Sequence, residues 1–299
     1  MGIKRRRVVN NKIAVAFIVF LIAAVSGAII YNDYNKKYGV RAKRLYSQAL
    51  GGETLSLEEY IPGVVMAVVP SDYDTETIRA MSVVIRTYLT QQLYECDEHL
   101  LNVDELNIMS ISTQSLKNSL GEDIYNDTMK KYEEAAEYTK GETITYKGKI
   151  IVPLYHMVSS CSTRDAGELF CEDVPYLKSV SCKDDVRSRE YLKIVDIKKD
   201  EFERQAGANA HVSKLDSAGY VLAVESDNGS ISGEDFAAMF DINSSCFSLE
   251  YLDDDKVRIV SKGVGHGMGL SIYGANELAK QGKNYKEILE YFYAGTKIE

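Results

Sequence analysis

Thirteen residues near the C-terminus, GVGHGMGLSIYGA at Gly263–Ala275, constrain the fold more than any other stretch. Glycine at every second position from 263 to 269 lets the backbone take positive φ and approach a second strand or a ligand closely. Ser271 then stands where a helix N-cap belongs, so the segment reads as a tight turn feeding a helix. His266 inside it is either a structural residue of that turn or a donor facing a ligand.

The rest of the chain supplies helices first and strands later. Ser56 and Glu59 form a capping-box pattern ahead of Leu57, Ile61, Val64, Val65 and Val68 at near-helical spacing, and Pro70 ends that element. A longer helix is expected from about Glu76 to Leu93, with Ile78, Met81, Ser82, Ile85, Tyr88 and Leu89 on one stripe and Arg86 off it. Another is expected over 122–139, carrying Ile124, Met129, Tyr132 and Ala136 on its apolar side. The pattern then changes period: 142–156 predicts a hairpin turning at Lys147-Gly148, with strands at 191–196, 219–225, 246–251 and 256–261. Short helices fit 199–206 and 233–240, the second capped by Ser232. Helices at 271–281 and 285–294 close the chain, each followed by the glycine expected past a helix end. The fold class is α+β, a mixed helix and antiparallel-strand ectodomain behind a single-pass N-terminal transmembrane helix.

That N-terminal helix is inferred from charge and hydropathy. Lys4, Arg5, Arg6, Arg7 and Lys12 precede an uncharged run of eighteen residues, Ile13–Ile30, long enough at about 1.5 Å per residue to cross a hydrocarbon core. Ser26-Gly27-Ala28 offers the alternative of a cleaved signal peptide; the length of the run favours an uncleaved anchor. The chain then divides as 1–30 cytoplasmic tip and anchor, 31–54 juxtamembrane stalk, and 55–299 the functional domain, placed outside the cell membrane. Residues 1–44 hold ten Lys or Arg against Asp33 alone, so with a net charge of −9 overall the remainder carries −18. Such an acidic domain is no nucleic-acid binder.

A second segment, YIPGVVMAVVPSDYDTETIRAMSVVIRTY at 60–88, joins the glycine motif in a resemblance. With Tyr60, Gly63, Val64, Val65, Ala67, Pro70, Glu76, Arg86, Thr87 and Tyr88, then Gly263, Gly265, His266, Gly267, Gly269, Ser271, Tyr273, Gly274 and Ala275, and finally Gly282, Tyr285, Ile288, Leu289, Tyr293, Gly295 and Thr296, the chain resembles the stage II sporulation protein D family, which includes the amidase enhancer branch. PYLKSV at Pro175–Val180 also fits, and the resemblance spans roughly 55–299.

The resemblance implies an endospore-forming cell's wall-remodelling protein that acts on peptidoglycan glycan strands, alongside other membrane-anchored sporulation wall hydrolases. The family's lytic transglycosylases use the glutamate of an AEMP motif as the acid, and here that position is Val68. A transglycosylase needs one carboxyl group that protonates the glycosidic oxygen and later takes a proton from the sugar hydroxyl closing the anhydro ring, and valine does neither. Met81 and Ile272 replace two glutamines of the family pattern, so the site looks degenerate. No catalytic residue is intact, and the expected activity is binding. The alternative is an active lytic transglycosylase using a relocated acid, Asp72; Asp72 and Asp74 equally read as helix caps. Substrate-binding candidates are Glu76, Arg86, Tyr88, His156, His266, Ser271 and Tyr273. A carboxylate is expected to hold Arg86, Glu76 or an acid from the C-terminal half.

Cys96, Cys161, Cys171, Cys182 and Cys246 give no pairing by spacing alone, and Cys171 with Cys182, flanking PYLKSV, is the first choice, with Cys161 as the competitor. No cofactor is expected as the main reading. Zinc at His156, Cys161 and Cys171 is the exception the family resemblance suggests, although these spacings match no standard structural zinc pattern. A Ser-His-Asp hydrolase is discounted for want of a G-x-S-x-G elbow. His99 and His211 read as surface residues.

Overall fold

The computed structural model describes residues 44–47, 53–95, 100–103, 106, 117–118, 120–170 and 174–299. The expected anchor at 13–30 and most of the 31–54 stalk lie outside these residues. Among the described residues no helix is long and apolar enough to cross a membrane.

In chain order the first elements are β1 (Arg44–Ser47), β2 (Glu53–Leu55), α1 (Leu57–Val68), α2 (Thr75–Glu95), β3 (Leu100–Asn102), α3 (Glu122–Tyr138), β4 (Ile144–Tyr146), β5 (Lys149–Ile150) and β6 (Tyr155–His156). Next come α4 (Ala166–Phe170), β7 (Leu192–Lys198), α5 (Lys199–Ala206), β8 (His211–Leu215), β9 (Val221–Ser226), β10 (Gly229–Ile231) and α6 (Gly233–Met239). The last are β11 (Phe247–Leu252), β12 (Lys256–Lys262), β13 (Leu270–Ser271), α7 (Ile272–Lys280), α8 (Tyr285–Phe292) and β14 (Lys297–Ile298). They fall into two compact units: a strand-rich unit of Leu154–Gly274, and a helical unit of the described residues up to Pro153 with Ala275–Glu299.

In the helical unit, α1 opens on the expected capping box: the Ser56 hydroxyl accepts the Glu59 N–H, and the Glu59 carboxylate accepts the Ser56 N–H at 2.8 Å. Asp74 caps α2, its carboxylate accepting the Glu76 N–H at 2.8 Å. The predicted stripe of α2 is buried except for the half-buried Tyr88, but Ala80, Val83, Val84, Arg86 and Thr87 are buried too. Because α1, α3 and α8 all pack against it, this helix is enclosed almost all round rather than along one face. On α3 the expected apolar side is rotated: Tyr125, Tyr132, Ala135 and Ala136 are buried while Ile124 is 60% exposed. The hairpin β4–β5 turns at Lys147 and Gly148, both with positive φ (52° and 73°), as a two-residue turn of this hand requires. β14 pairs with β4 and brings the C-terminus into that sheet.

The strand-rich unit holds two three-stranded antiparallel sheets, ordered β11-β12-β7 and β10-β9-β8. Phe202, Val221, Val224, Phe236, Phe240, Phe247, Val257 and Ile259 form their core, with the Phe236 and Phe247 rings stacked at 4.5 Å. The sequence reading missed β8, which is mostly exposed and so shows no inward alternation, and β10, which is only three residues long.

Candidate functional site

The glycine motif is built as its sequence requires. Gly263, Gly265, Gly267 and Gly269 all have positive φ, from 68° to 100°. At Gly269 a Cβ would lie 1.9 Å from the Leu154 carbonyl oxygen, and that oxygen accepts the Leu270 N–H at 3.0 Å. Only a residue without a side chain lets the two segments meet this closely. The contact starts the short parallel pair β6–β13, which places His156 opposite Ser271.

A buried hydrogen-bonded chain hangs on that pair. His156 lies 3.1 Å through Nδ1 from the Met268 carbonyl and 2.6 Å through Nε2 from the Ser159 hydroxyl. A carbonyl only accepts, so Nδ1 carries the proton and Nε2 accepts from Ser159. Burial, and after it the neighbouring His266, lowers the His156 pKa to about 3, although the Met268 bond works the other way. Asp185, buried in a short 3-10 helix at Lys183–Arg187, accepts the Ser159 N–H and the Ser271 hydroxyl on one oxygen, each at 2.6 Å. Ser271 also caps α7, its oxygen accepting the Gly274 N–H at 3.1 Å.

His266 is half-buried, its ring centroid 5.8 Å from that of His156. Its Nδ1 accepts the Met268 N–H at 3.1 Å. Burial, then the positive charge of Arg164, lowers its pKa to about 4, while a hydrogen bond to the Tyr155 backbone opposes the shift. Arg164 is fully buried, donating to Asp216 at 2.6 Å and to Glu234 at 2.7 Å, with its guanidinium 4.7 Å from the Tyr220 ring centroid. Burial alone would lower the Arg164 pKa; Glu234 and Asp216 outweigh it and hold the pKa above the ordinary value. Backbone bonds from Arg164 N–H to the Gly267 carbonyl, and from its side chain to the His266 carbonyl, clamp the glycine turn.

In the helical unit, Arg86 is buried and its carboxylate partner is Glu58, not Glu76 or a C-terminal acid. The guanidinium grips Glu58 through Nε and Nη2, each at 2.9 Å, and also donates to the Ala136 carbonyl, the Thr139 hydroxyl and the Glu142 carbonyl. These bonds tie α1, α2 and α3 together. Glu76 instead pairs with Arg79 and accepts the Tyr285 N–H at 2.8 Å, holding the start of α8. Val68 ends α1, buried; Asp72 is exposed in the turn after Pro70. The Tyr132 phenol, bonded to the Val69 carbonyl, is pushed up to about 12 by burial and secondarily by the Asp72 charge.

The candidate residues thus fall into two sets. Val68, Asp72, Glu76, Arg86 and Tyr88 belong to the helical unit, and His156, His266, Ser271 and Tyr273 to the strand-rich unit. Arg86, His156 and Ser271 are enclosed by protein, while Asp72 is exposed and Glu76, Tyr88, His266 and Tyr273 are half-buried. The sequence reading missed Glu58, Ser159, Arg164 and Asp185.

Among the described residues no group of three or more His, Cys, Asp or Glu is placed to hold a metal. Both ring nitrogens of His156 are engaged by protein groups, and Cys171, the third residue of the expected zinc set, lies outside the described residues. Cys161, Cys182 and Cys246 carry free thiols, so the expected pairing of Cys182 is not formed. Burial, then Asp185, pushes the Cys182 thiol up to about 12. His211 is exposed on β8, as expected; His99 lies outside the described residues.

The family model for stage II sporulation protein (SpoIID) matches residues 47–146. Stage II sporulation protein D of Bacillus subtilis is 30% identical over 260 residues, covering 82% of this chain and 75% of that protein. Its counterpart from Bacillus amyloliquefaciens is 29% identical, with 82% and 75% covered. The amidase enhancer of Bacillus subtilis is 23% identical over 300 residues, 80% of this chain and 40% of that protein. With that identity over three quarters of a relative's length, and the glycine turn and capped helices folded as the shared motifs require, the chain belongs to the stage II sporulation protein D family.

Proposed function

We propose that this family member engages peptidoglycan glycan strands on the outer side of the cell membrane during endospore formation, and that it binds or scaffolds rather than cuts. The observation that carries this is Val68, at the position of the family's catalytic glutamate and only 3% exposed. Met81 and Ile272, at the two family glutamine positions, are each 0% exposed. Three polar positions have become core, and a transglycosylase without a carboxyl group at the glycosidic oxygen has no proton to give. Candidate sugar contacts are the partly accessible Glu76, Tyr88, His266 and Tyr273, the tyrosines by stacking and the others by hydrogen bonds. Membrane-anchored wall hydrolases of the same machinery are the proposed protein partners, with anchoring through 13–30.

The test is incubation of the purified protein with glycan strands stripped of stem peptides, measuring binding and analysing soluble products. Binding without release of anhydro-muropeptides is expected. Release that drops roughly 10²–10⁴-fold in Asp72→Asn would establish the relocated acid instead. Absence of binding would overturn the glycan-reading function. Val68→Glu is a poor test, because it forces a carboxyl group into the core.

A further inference from the structure

Strand β7 forms one edge of the β11-β12-β7 sheet, and among the described residues no strand pairs with its free side. The bonds from Lys199 N–H to the Asp255 carbonyl and from Gly263 N–H to the Tyr191 carbonyl bracket the β7–β12 ladder. In an antiparallel pair bonded and non-bonded positions alternate, so Lys193, Val195 and Ile197 turn their backbone groups toward β12. Leu192, Ile194 and Asp196 turn theirs away and pair with no other described strand, and Lys198, also turned away, is the N-cap of α5. Those same four residues carry the exposed side chains, with Leu192 at 50% and Ile194 at 53% exposure. Ile194 lies beside the half-buried Val260 of β12, which extends the apolar surface across the sheet. Edge strands are commonly blunted by proline, a bulge or inward charge; β7 has no proline and pairs with β12 in unbroken register, and its inward-side charge, Lys193, is paired with Asp241.

We propose that a second copy of this chain pairs here, β7 against β7 in antiparallel sense about a two-fold axis through Ile194. The sequence favours that register by charge. It sets Ile194 against its own copy, Leu192 against Asp196, and exposed Glu190, in the turn leading into β7, against Lys198, each cross-pair occurring twice by symmetry. An axis through Lys193 would oppose two lysines, and one through Asp196 two aspartates. An axis through Val195 would lose the Glu190–Lys198 pairs.

The test uses the full chain in detergent, with mass measured by light scattering or sedimentation across a concentration series. A reversible dimer is expected. Glu190→Lys and Lys198→Glu, both at exposed positions, should each weaken it about ten-fold, since each replaces two attractive cross-pairs by two repulsive ones. An equimolar mixture of the two variants should restore a heterodimer, because opposite charges then face each other at both places. Ile194→Cys should form an intermolecular disulfide under mild oxidation, directly opposed residues at a bonded position having Cα atoms about 5.5 Å apart. A monomer at all concentrations, a dimer indifferent to both charge reversals, or a mixture that fails to recover would overturn the proposal. So would a monomer whose β7 instead captures an extended segment of another protein.

Discussion

Acid should destabilise the strand-rich unit before its carboxylates titrate, through His156. Folding holds this imidazole neutral, its pKa lowered to about 3 chiefly by burial, against an ordinary value of 6.5. At pH 8 the side chain is neutral in both states and contributes no pH dependence. As pH falls below about 6.5 the unfolded chain takes up a proton that the folded one refuses, so stability drops by about 1.4 kcal/mol per pH unit. From pH 8 to pH 5 the loss from His156 alone comes to about 2 kcal/mol, and it stops growing only near the folded pKa. His266, lowered to about 4, acts in the same direction but is partly open to solvent, so its share is smaller. Urea denaturation between pH 5 and 8, followed by tyrosine fluorescence and circular dichroism, measures the slope. His156→Gln removes the titrating group while keeping a side chain able to bond Ser159 or Met268. It should be less stable at pH 8 yet lose about 2 kcal/mol less on going to pH 5. A variant with the wild-type slope would show that His156 is not held neutral by its enclosure and would refute the reasoning.

Two further expectations concern the scaffold. Glu58→Ala strips the buried Arg86 of its bidentate partner and should cost about 3 kcal/mol, at the low end for a broken buried pair because Glu58 itself is 29% exposed; a loss below about 1 kcal/mol in chemical denaturation would count against a paired, desolvated Arg86. Gly269→Ala, at φ 68° with its Cβ 1.9 Å from the Leu154 carbonyl, should cost more than about 3 kcal/mol, whereas Gly282→Ala, also at positive φ but in open space, should cost about 1 kcal/mol. Equal losses for the two in thermal unfolding would mean that backbone conformation alone, not the close approach of β6 and β13, demands glycine at 269.

What was legible in the sequence was local chemistry. Caps at Ser56, Ser232 and Ser271, the turn at Lys147-Gly148 and the alternating glycines each follow from a rule acting within a few residues, and each is found. Pairings across long separations were not legible. Glu58 is adjacent to the residue that completes the capping box, and nothing nearby marks it as the partner of Arg86, 28 positions away. Asp185 sits inside KDDVRSRE, a run whose charge density reads as a solvated surface, yet it is the one that turns inward to meet Ser159 and Ser271. Arg164 was hidden the same way, in STRD. On α3, Ile124 is exposed while its neighbour Tyr125 in the same first turn is buried, so apolar character alone did not mark the buried face.

On the proposed function, Val68, Met81 and Ile272 share one physical logic. A carboxyl group or a glutamine amide placed where Val68, Met81 and Ile272 now stand would have to be satisfied or hydrated, and leaving such a group buried without a partner costs about 1–3 kcal/mol. Apolar side chains remove that burden and are absorbed at 3%, 0% and 0% exposure. The bonds that shape the glycine turn, Arg164 to the Gly267 and His266 backbone and Asp185 to Ser159 and Ser271, depend on none of these three positions. On the proposed function, a chain without a carboxyl group at position 68 still keeps the hydrogen bonds that hold the glycine turn and the buried His156.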